Sequence, residues 1–218
     1  MVTEARKKQD RERKDKTRAA LLDSAARVFV AKGYHNTLIS DIVGDAGVGQ
    51  GTLYRFFKNK RHVFEVLLDR FTEALFDEFE DMSANLPRNV DEYRAASLSA
   101  TQRVAKTVSE NLELASLLFR EGPSIDAEME ERFSQFFDRF AGLAKFYLDY
   151  AVEQGFARPC RSDIVAQCLV GIGVRLFDAW SRDRFSGAAL PTLVEEVVDF
   201  AFLGFGPPGN GGKTNGGD

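Results

Sequence analysis

The chain of 218 residues is 44% hydrophobic and 28% charged, a balance that fits a globular protein with a buried core and excludes a disordered or fibrous chain. No apolar run of about 18 residues that could cross a bilayer stands out. The polar start at Met1 lacks the apolar segment of a signal peptide, so we expect a cytoplasmic protein with no membrane partner. Cys160 and Cys168 lack metal-site or redox spacing, and we therefore expect structural thiols, no metal and no cofactor.

The net charge of −4 hides a strong asymmetry between the two ends of the chain. Residues 1–62 hold 14 Lys or Arg against 7 Asp or Glu, a net charge of +7, whereas residues 63–218 hold 15 against 26, a net charge of −11. Lys and Arg side chains give a protein affinity for nucleic acids because they displace counterions at phosphates. The basic N-terminal part is therefore expected to bind a polyanion. For residues 1–18 alone, a solvated charged tail is an equally good interpretation.

Helical periodicity runs along the chain and no period-two strand pattern interrupts it, which predicts an all-α fold. Residues 1–15 are expected to form a flexible basic arm or a frayed helix start, and residues 206–218, rich in Gly and Pro, a disordered tail. The predicted helices, in chain order, are 16–32, 38–45, 50–57, 61–82, 91–111, 112–121, 124–154, 163–182 and 192–203.

Turn and capping residues punctuate the N-terminal helices. Gly33 is placed to end the first helix, and Thr37 to cap the second by accepting a hydrogen bond from a free backbone N–H of its first turn. Gly47 can adopt the left-handed backbone needed between the second and third helices. Two short helices joined by a three-residue turn are the layout of a helix-turn-helix.

The segment GYHNTLISDIVGDAGVGQGTLYRFFKNKR, residues 33–61, also carries the side chains that such a motif needs. Its apolar residues supply a small core, anchored on the third helix by Leu53 and Phe57. The outward residues have groups that suit a DNA groove, because Gln pairs with adenine, Arg forks onto guanine, and Thr, Tyr and Lys reach methyl groups or phosphates. These outward residues are Gln50, Gly51, Thr52, Tyr54, Arg55 and Lys58.

Residues 16–70 are similar to the DNA-binding domain of the TetR family of bacterial repressors, whose pattern G-Y/F…T…I…I-A…A-G-V-S…G-T-L-Y…Y/H-F…K they match closely. Gly49 replaces a frequent Ser and Val43 a usual Ala. The resemblance implies a DNA-binding domain at 16–60 and a helical regulatory and dimerisation domain at 61–205. It also implies DNA contacts by Gln50, Thr52, Tyr54 and Arg55 in the groove, and by Thr37, Ser40, Lys58 and Lys60 at phosphates. Gly51 is a DNA-binding candidate for a different reason, because it removes a side chain where the backbone is expected to lie close to DNA.

The larger C-terminal part is expected to bind a small effector and to dimerise. Its aromatic residues are expected to line a pocket for a hydrophobic or aromatic effector, and two arginines could bind an anionic group of that effector. The aromatic residues are Phe119, Phe133, Phe136, Phe137, Phe140, Tyr147 and Trp180, and the arginines are Arg103 and Arg120. The last two helices are apolar on two sides, which favours burial against the same pair of a second subunit over a central core helix. The predicted interface is Ala166, Val170, Gly173, Val174, Phe177, Val194, Val198 and Phe205.

We therefore expect a dimeric, ligand-responsive transcriptional regulator, a repressor released from a palindromic operator by a small hydrophobic effector. An enzyme is the rival from another class, but His35 and His62 have no catalytic constellation around them in the sequence, and we expect no enzymatic activity. The other alternative is a DNA-binding regulator without a small-molecule effector, controlled by a protein partner. A solid C-terminal part without a cavity would favour that alternative.

Overall fold

The structure, a computed structural model, describes residues 4–205 apart from the side chains of Ala5, Asp81, Ser83 and Phe205. These residues are helical, as predicted, with no strand within the described range. The helices are α1 (Glu4–Lys32), α2 (Ile39–Asp45), α3 (Gln50–Tyr54), α4 (Lys60–Asp77), α5 (Glu80–Ala84), α6 (Val90–Glu110), α7 (Leu112–Glu121), α8 (Ala127–Glu153), α9 (Ser162–Ser181) and α10 (Leu190–Phe205), with a 3₁₀ turn at Gly122–Ser124. The predicted tail at 206–218 lies outside the described residues.

The chain divides into two compact units. The first unit is Met1–Glu73 together with Glu113–Ala127, and the second is Ala74–Leu112 together with Glu128–Asp218. Most of α4 belongs to the first unit, and its last residues belong to the second. Most of α7 therefore packs with the N-terminal helices, although it follows α6 of the second unit along the chain.

Helix α1 begins at Glu4, well before the predicted start at residue 16. Its C-terminal half carries a buried stripe that includes Leu22, Ala25 and Phe29 and supplies the core of the first unit. The N-terminal half has no apolar stripe, so hydrophobic periodicity alone could not detect it as helix. The helix ends as predicted before Gly33, whose φ of +78° is the left-handed conformation that favours glycine.

The predicted helix at 61–82 is divided into α4 and α5 by a turn at residues 78–79. At this turn, side chains from other helices approach carbonyl groups that an unbroken helix would use internally. The Arg103 guanidinium donates to the carbonyl oxygen of Glu78 at 2.6 Å, and the Tyr147 hydroxyl lies 3.5 Å from the carbonyl oxygen of Phe79. The break thus has a tertiary cause that the local sequence does not contain.

The core of the second unit is built from α5, α6, α8 and α9, with Tyr93, Leu148 and Ala166 among its buried residues. Helix α10 packs on both α6 and α9. By length and composition α9 is apolar enough to cross a membrane, contrary to the sequence expectation. Only 11% of its apolar stretch is buried within the chain. Its apolar residues are split by polar ones such as Gln167, which hid the run in the sequence.

The turn at Gly33 yields a stability prediction. A side chain at Gly33 would be strained in two ways. The backbone is in the left-handed conformation, and an added Cβ would lie 3.1 Å from a carboxylate oxygen of Glu121. We expect Gly33→Ala to lower the free energy of unfolding by about 1–2 kcal/mol, the usual cost of the left-handed conformation for an L-residue. The measurement is urea unfolding followed by circular dichroism.

Gly44→Ala is the matched control, because Gly44 lies within α2 and its added Cβ would meet nothing within 4 Å. This substitution should raise the free energy of unfolding by about 0.5–1 kcal/mol, since alanine loses less backbone entropy in a helix. Equal effects of the two substitutions would contradict the assigned turn.

Candidate functional site

Helices α2 and α3 form the predicted helix-turn-helix. The turn between them contains Gly47, whose φ is +65°, and the Val48 N–H donates to the Val43 carbonyl at 3.0 Å. Ile42 and Leu53, one from each helix, are completely buried. The side chains that lock the pair together are therefore the apolar residues that the sequence assigned to this role.

The outer face of α3 carries the predicted groove-reading residues. Tyr54 is 54% exposed, which is a large exposed fraction for an aromatic side chain. The adjoining residues Gln50, Gly51, Arg55 and Lys58 are exposed, and Thr52 is half-buried. Ser40 is exposed on α2. Gly49 occupies the N-cap position of α3 and offers no side-chain hydrogen bond, as expected for glycine in place of serine.

Thr37 is not positioned for either of its predicted roles. Its side chain is completely buried, and its hydroxyl donates to the Gly33 carbonyl at 2.7 Å. The N-cap residue of α2 is Leu38, and its backbone N–H donates to the Asp41 carboxylate at 2.9 Å. The predicted cap is therefore wrong, and a buried Thr37 cannot reach a phosphate.

Lys60 is also turned inward, towards the segment between α1 and α2. Its ammonium group donates to the carbonyl oxygens of Tyr34 at 2.7 Å, His35 at 3.2 Å and Thr37 at 2.8 Å. It lies 4.4 Å from the centroid of the Tyr34 ring, and burial lowers its pKa. An ammonium group has three N–H donors, so these carbonyls occupy its full capacity and leave none for a phosphate.

Ion pairs fix α2 at both ends against α1. Lys32 contacts Asp41 at 2.8 Å near the start of α2, and this hydrogen bond is the main cause of a lowered Asp41 pKa. At the other end, the hydroxyl of buried Ser24 donates to Asp45 and lowers the pKa of that carboxyl group. Arg27 contacts the same carboxylate at 2.5 Å. These contacts add directional restraints to the apolar packing of the motif.

Two acidic residues from the segment after α6 complete the first unit, and sequence reasoning gave them no role. The Glu121 carboxylate accepts the Tyr34 N–H at 2.7 Å, and Asp126 accepts from Arg61 at 2.6 Å. Their separation along the chain from residues 34 and 61 gave no local signal. The turn beside α2 is thus bonded both to the start of α4 and to the end of α7.

In the second unit, part of the predicted effector set forms a phenylalanine cluster, which consists of Phe76, Phe79, Phe136, Phe137 and Phe140. The rings of Phe76 and Phe140 stack with centroids 4.2 Å apart. All five members are half-buried, and the Arg139 guanidinium lies 3.7 Å from the Phe76 centroid. Phe76 and Phe79 were not among the predicted effector residues. Phe133 and Tyr147, on the same helix α8, are buried.

The remaining predicted effector residues have the following partners. Phe119 packs against Phe71 in the first unit. The Trp180 N–H donates to the Ala188 carbonyl at 2.9 Å, and exposed Arg120 bonds to its own helix. Arg103 forms an ion pair with Glu78 at 3.3 Å, which together with its bond to the Glu78 carbonyl gives it a structural role.

The predicted dimer residues fall into two groups. Ala166 and Val198 are buried within the chain itself and have no surface left for a partner, whereas Val170, Phe177 and Val194 are half-buried. Gly173 and Val174 are exposed, and the side chain of Phe205 lies outside the described part of the structure. Several exposed apolar side chains that were not predicted accompany Val174 on α9 and α10: Ile164, Phe200 and Leu203.

The sequence profile described as "Bacterial regulatory proteins, tetR family" matches residues 21–67, the span that contains the helix-turn-helix and most of its core. Residues 21–67 thus belong to the TetR family of bacterial regulatory proteins. This confirms the resemblance drawn from the glycine, apolar and aromatic spacing of residues 33–61. The chain is therefore a helix-turn-helix protein of a family of transcriptional regulators.

Similarity to curated proteins and solved structures extends beyond the matched span. The HTH-type transcriptional regulator YdgC of Bacillus subtilis is 26% identical over 89% of this chain and 95% of its own length. The HTH-type transcriptional repressor KstR2 of Mycobacterium tuberculosis is 24% identical over 65% of this chain and 70% of its own. The crystal structure of FadR from B. subtilis in complex with stearoyl-CoA has a TM-score of 0.70 and 17% identity, and covers 84% of this chain and 96% of that one. The last match shows a shared fold.

The two lysines at the end of the motif are expected to respond differently to substitution. Lys60→Met removes the partner of three carbonyl groups and should lower the free energy of unfolding by about 1–3 kcal/mol. Lys58→Ala, at an exposed position, should change it by less than about 0.5 kcal/mol. Instead, Lys58→Ala should weaken DNA binding. It should also reduce the slope of log affinity against log salt concentration by about 1, the contribution of one bound phosphate. Urea unfolding and fluorescence anisotropy measure the two effects.

The reverse pattern, with Lys58→Ala destabilising the fold and Lys60→Met altering only DNA binding, would contradict the inward assignment of Lys60.

Proposed function

We propose that this TetR-family protein is a ligand-responsive transcriptional repressor that binds a palindromic DNA operator as a dimer and is released by a small hydrophobic effector. The observation that carries the DNA-binding part is the exposed face of α3, where Gln50, Tyr54 and Arg55 extend from a helix anchored by buried Leu53. Amide and guanidinium groups distinguish base edges in the major groove, and the neighbouring Ser40 and Lys58 can position the motif on phosphates. We propose no catalytic function.

Dimerisation is supported by exposed apolar residues at the end of the chain. Val174 is 44% exposed on α9, and Phe200 and Leu203 are 67% and 89% exposed on α10. Large apolar side chains exposed together mark a surface that is covered in the functional state. A second copy is the occupant that we propose, because a two-fold dimer presents two recognition helices about 34 Å apart, one turn of DNA. The same covering accounts for the low burial of α9 without a membrane.

The phenylalanine cluster is the proposed effector site. Its five rings offer an apolar lining that is neither fully buried nor fully exposed, and Arg139 adds a cation beside Phe76. The stearoyl-CoA found with the B. subtilis FadR structure combines an apolar chain with an anionic head, the same pairing of chemistries. We therefore propose an acyl-CoA or a related long-chain anion as the effector class.

The proposed switch passes through α4. This helix starts at Lys60, which bonds to the turn between α1 and α2, and its last residues belong to the second unit with Phe76. An effector that binds more tightly to one position of α4 shifts the population of dimers away from the arrangement that matches the operator.

The first test is selection of bound sequences from a random duplex pool with purified protein. We expect a palindrome whose half-sites are about one helical turn apart. Tyr54→Ala and Arg55→Ala should lose this enrichment, and each base-specific contact removed should cost about 1–3 kcal/mol of discrimination. Lys106→Ala, an exposed lysine of α6, is the control and should select the same palindrome. Selection that is indifferent to Tyr54 and Arg55 would refute the proposed reading surface.

The second arm of this experiment titrates the selected complex with stearoyl-CoA, with coenzyme A and stearate tested separately. Stearoyl-CoA should release the duplex, and Phe140→Ala should require at least about tenfold more of it, because loss of a ring costs more than the 1.4 kcal/mol of one decade. Phe146→Ala, an exposed phenylalanine of the same helix outside the cluster, is the matched control. Absence of any response would favour a regulator controlled by a protein partner.

A further inference from the structure

The N-terminal half of α1 extends past the core of the first unit as a helix without a buried side chain. From Arg6 to Lys16 every residue is exposed, whereas Leu21, Leu22 and Ala25, further along the same helix, are buried. A segment that buries no apolar surface gains little from the fold for being helical. We refer to residues 4–17 as the overhang.

The buried stripe of α1 continues into the overhang as a line of positive charge. Steps of three or four residues back from Leu22 along the same helix face reach Arg18, and then Lys14, Arg11 and Lys7. Asp10 and Asp15 lie along the two edges of this basic stripe, three or four residues from its cations, and Glu4 lies at its N-terminal end. Among the described residues, no ion pair involves any of the four cations.

The stripe begins next to the reading surface. The Arg18 guanidinium lies 5.6 Å from the centroid of the Phe57 ring, and Phe57 follows α3 and precedes exposed Lys58. Because the stripe shares the face of α1 that packs on the helix-turn-helix, its cations lie on the side of the helix towards that motif.

We infer that the overhang is a second DNA-contacting element, in which Lys7, Arg11 and Lys14 bind phosphates of the duplex that flanks the half-site read by α3. The distance from Lys7 to Arg18 along a helix is about 16 Å, and at 3.4 Å per base pair this covers about five base pairs. This inference rests on the proposed DNA-binding function and adds to it a sequence-independent contact outside the recognised bases.

The test uses the full chain and a palindromic duplex selected by the wild-type protein, in two lengths. The short duplex ends at the outer edges of the half-sites, and the long duplex carries about eight more base pairs on each side, more than the stripe can span. The stripe variant is Lys7→Gln/Arg11→Gln/Lys14→Gln. The control variant, Lys8→Gln/Arg13→Gln/Lys16→Gln, removes the same charge from other faces of the same segment. Glutamine has a helix propensity close to that of Lys and Arg, so both variants should unfold at the wild-type temperature.

We expect the stripe variant to bind the long duplex at least about tenfold more weakly than wild type near 0.15 M salt, and its salt slope to fall by about 0.9 for each phosphate that it no longer neutralises. On the short duplex it should bind within about twofold of wild type, and the control variant should match wild type on both lengths. Equal weakening in the two variants, or weakening that is independent of duplex length, would overturn the inference.

Failure of the proposed function gives a different result. If the wild-type protein binds duplex without any sequence preference, the reading role of α3 fails, and weaker binding of the stripe variant than of the control variant on one random duplex still tests whether the stripe binds phosphates. If the protein selects a palindrome and the stripe variant behaves as wild type, only the overhang inference fails. If wild-type protein binds no duplex at any salt concentration, both fail.

Discussion

The turn between α1 and α2 is the constraint on which the first unit depends, and the Lys60 ammonium is its centre. Three carbonyl groups of this turn point at one cation, the Tyr34 N–H is taken by Glu121, and the Thr37 hydroxyl closes on Gly33. A connection with so many backbone groups turned inward needs such partners, since an unsatisfied buried polar group costs about 1–3 kcal/mol. The sequence supplies them from α4 and α7.

This arrangement matters for function because α3 is too short to hold its own position. Five residues make little more than one helical turn, and an isolated helix of that length is unstable in water. Its position is set by α2 through the Gly47 turn, and α2 is in turn held by Asp41 and Asp45 against α1. The exposed side chains of α3 are thus presented by a rigid frame, which reduces the entropy lost when they bind.

Much of this could be predicted from the sequence, because apolar spacing and glycines decide local structure. The helix-turn-helix, its buried anchors Leu53 and Phe57, and the left-handed turns at Gly33 and Gly47 were all predicted and are all present. The charged first half of α1 was predicted only as a flexible arm or a frayed helix start, because a polar helix has no hydrophobic period. The break after α4 was missed because its cause lies in α6 and α8.

The roles of individual polar and aromatic residues were harder to predict. Lys58 and Lys60 look equivalent in sequence. Only the fold shows that Lys58 is exposed, whereas the ammonium group of Lys60 is hydrogen-bonded to backbone carbonyl groups. Helical periodicity assigns a face to Trp180 but does not identify the neighbours of that face. Trp180 was therefore grouped with residues of α8, whereas its ring lies beside Phe177 and its N–H bonds to the Ala188 carbonyl. The same limit applies to Ala166 and Val198, which the chain buries in its own core.

The proposed reading of one operator by two copies of α3 is tested most directly by the molar mass in solution of the protein alone and on its selected duplex. Light scattering should give about twice 24.3 kDa for the free protein and two protomers per palindrome. Val174→Glu, at the exposed face of α9, should give single protomers with weakened DNA binding, whereas Ser134→Glu, at an exposed position of α8, should remain dimeric. A wild-type mass of one protomer, both free and on DNA, would contradict the account.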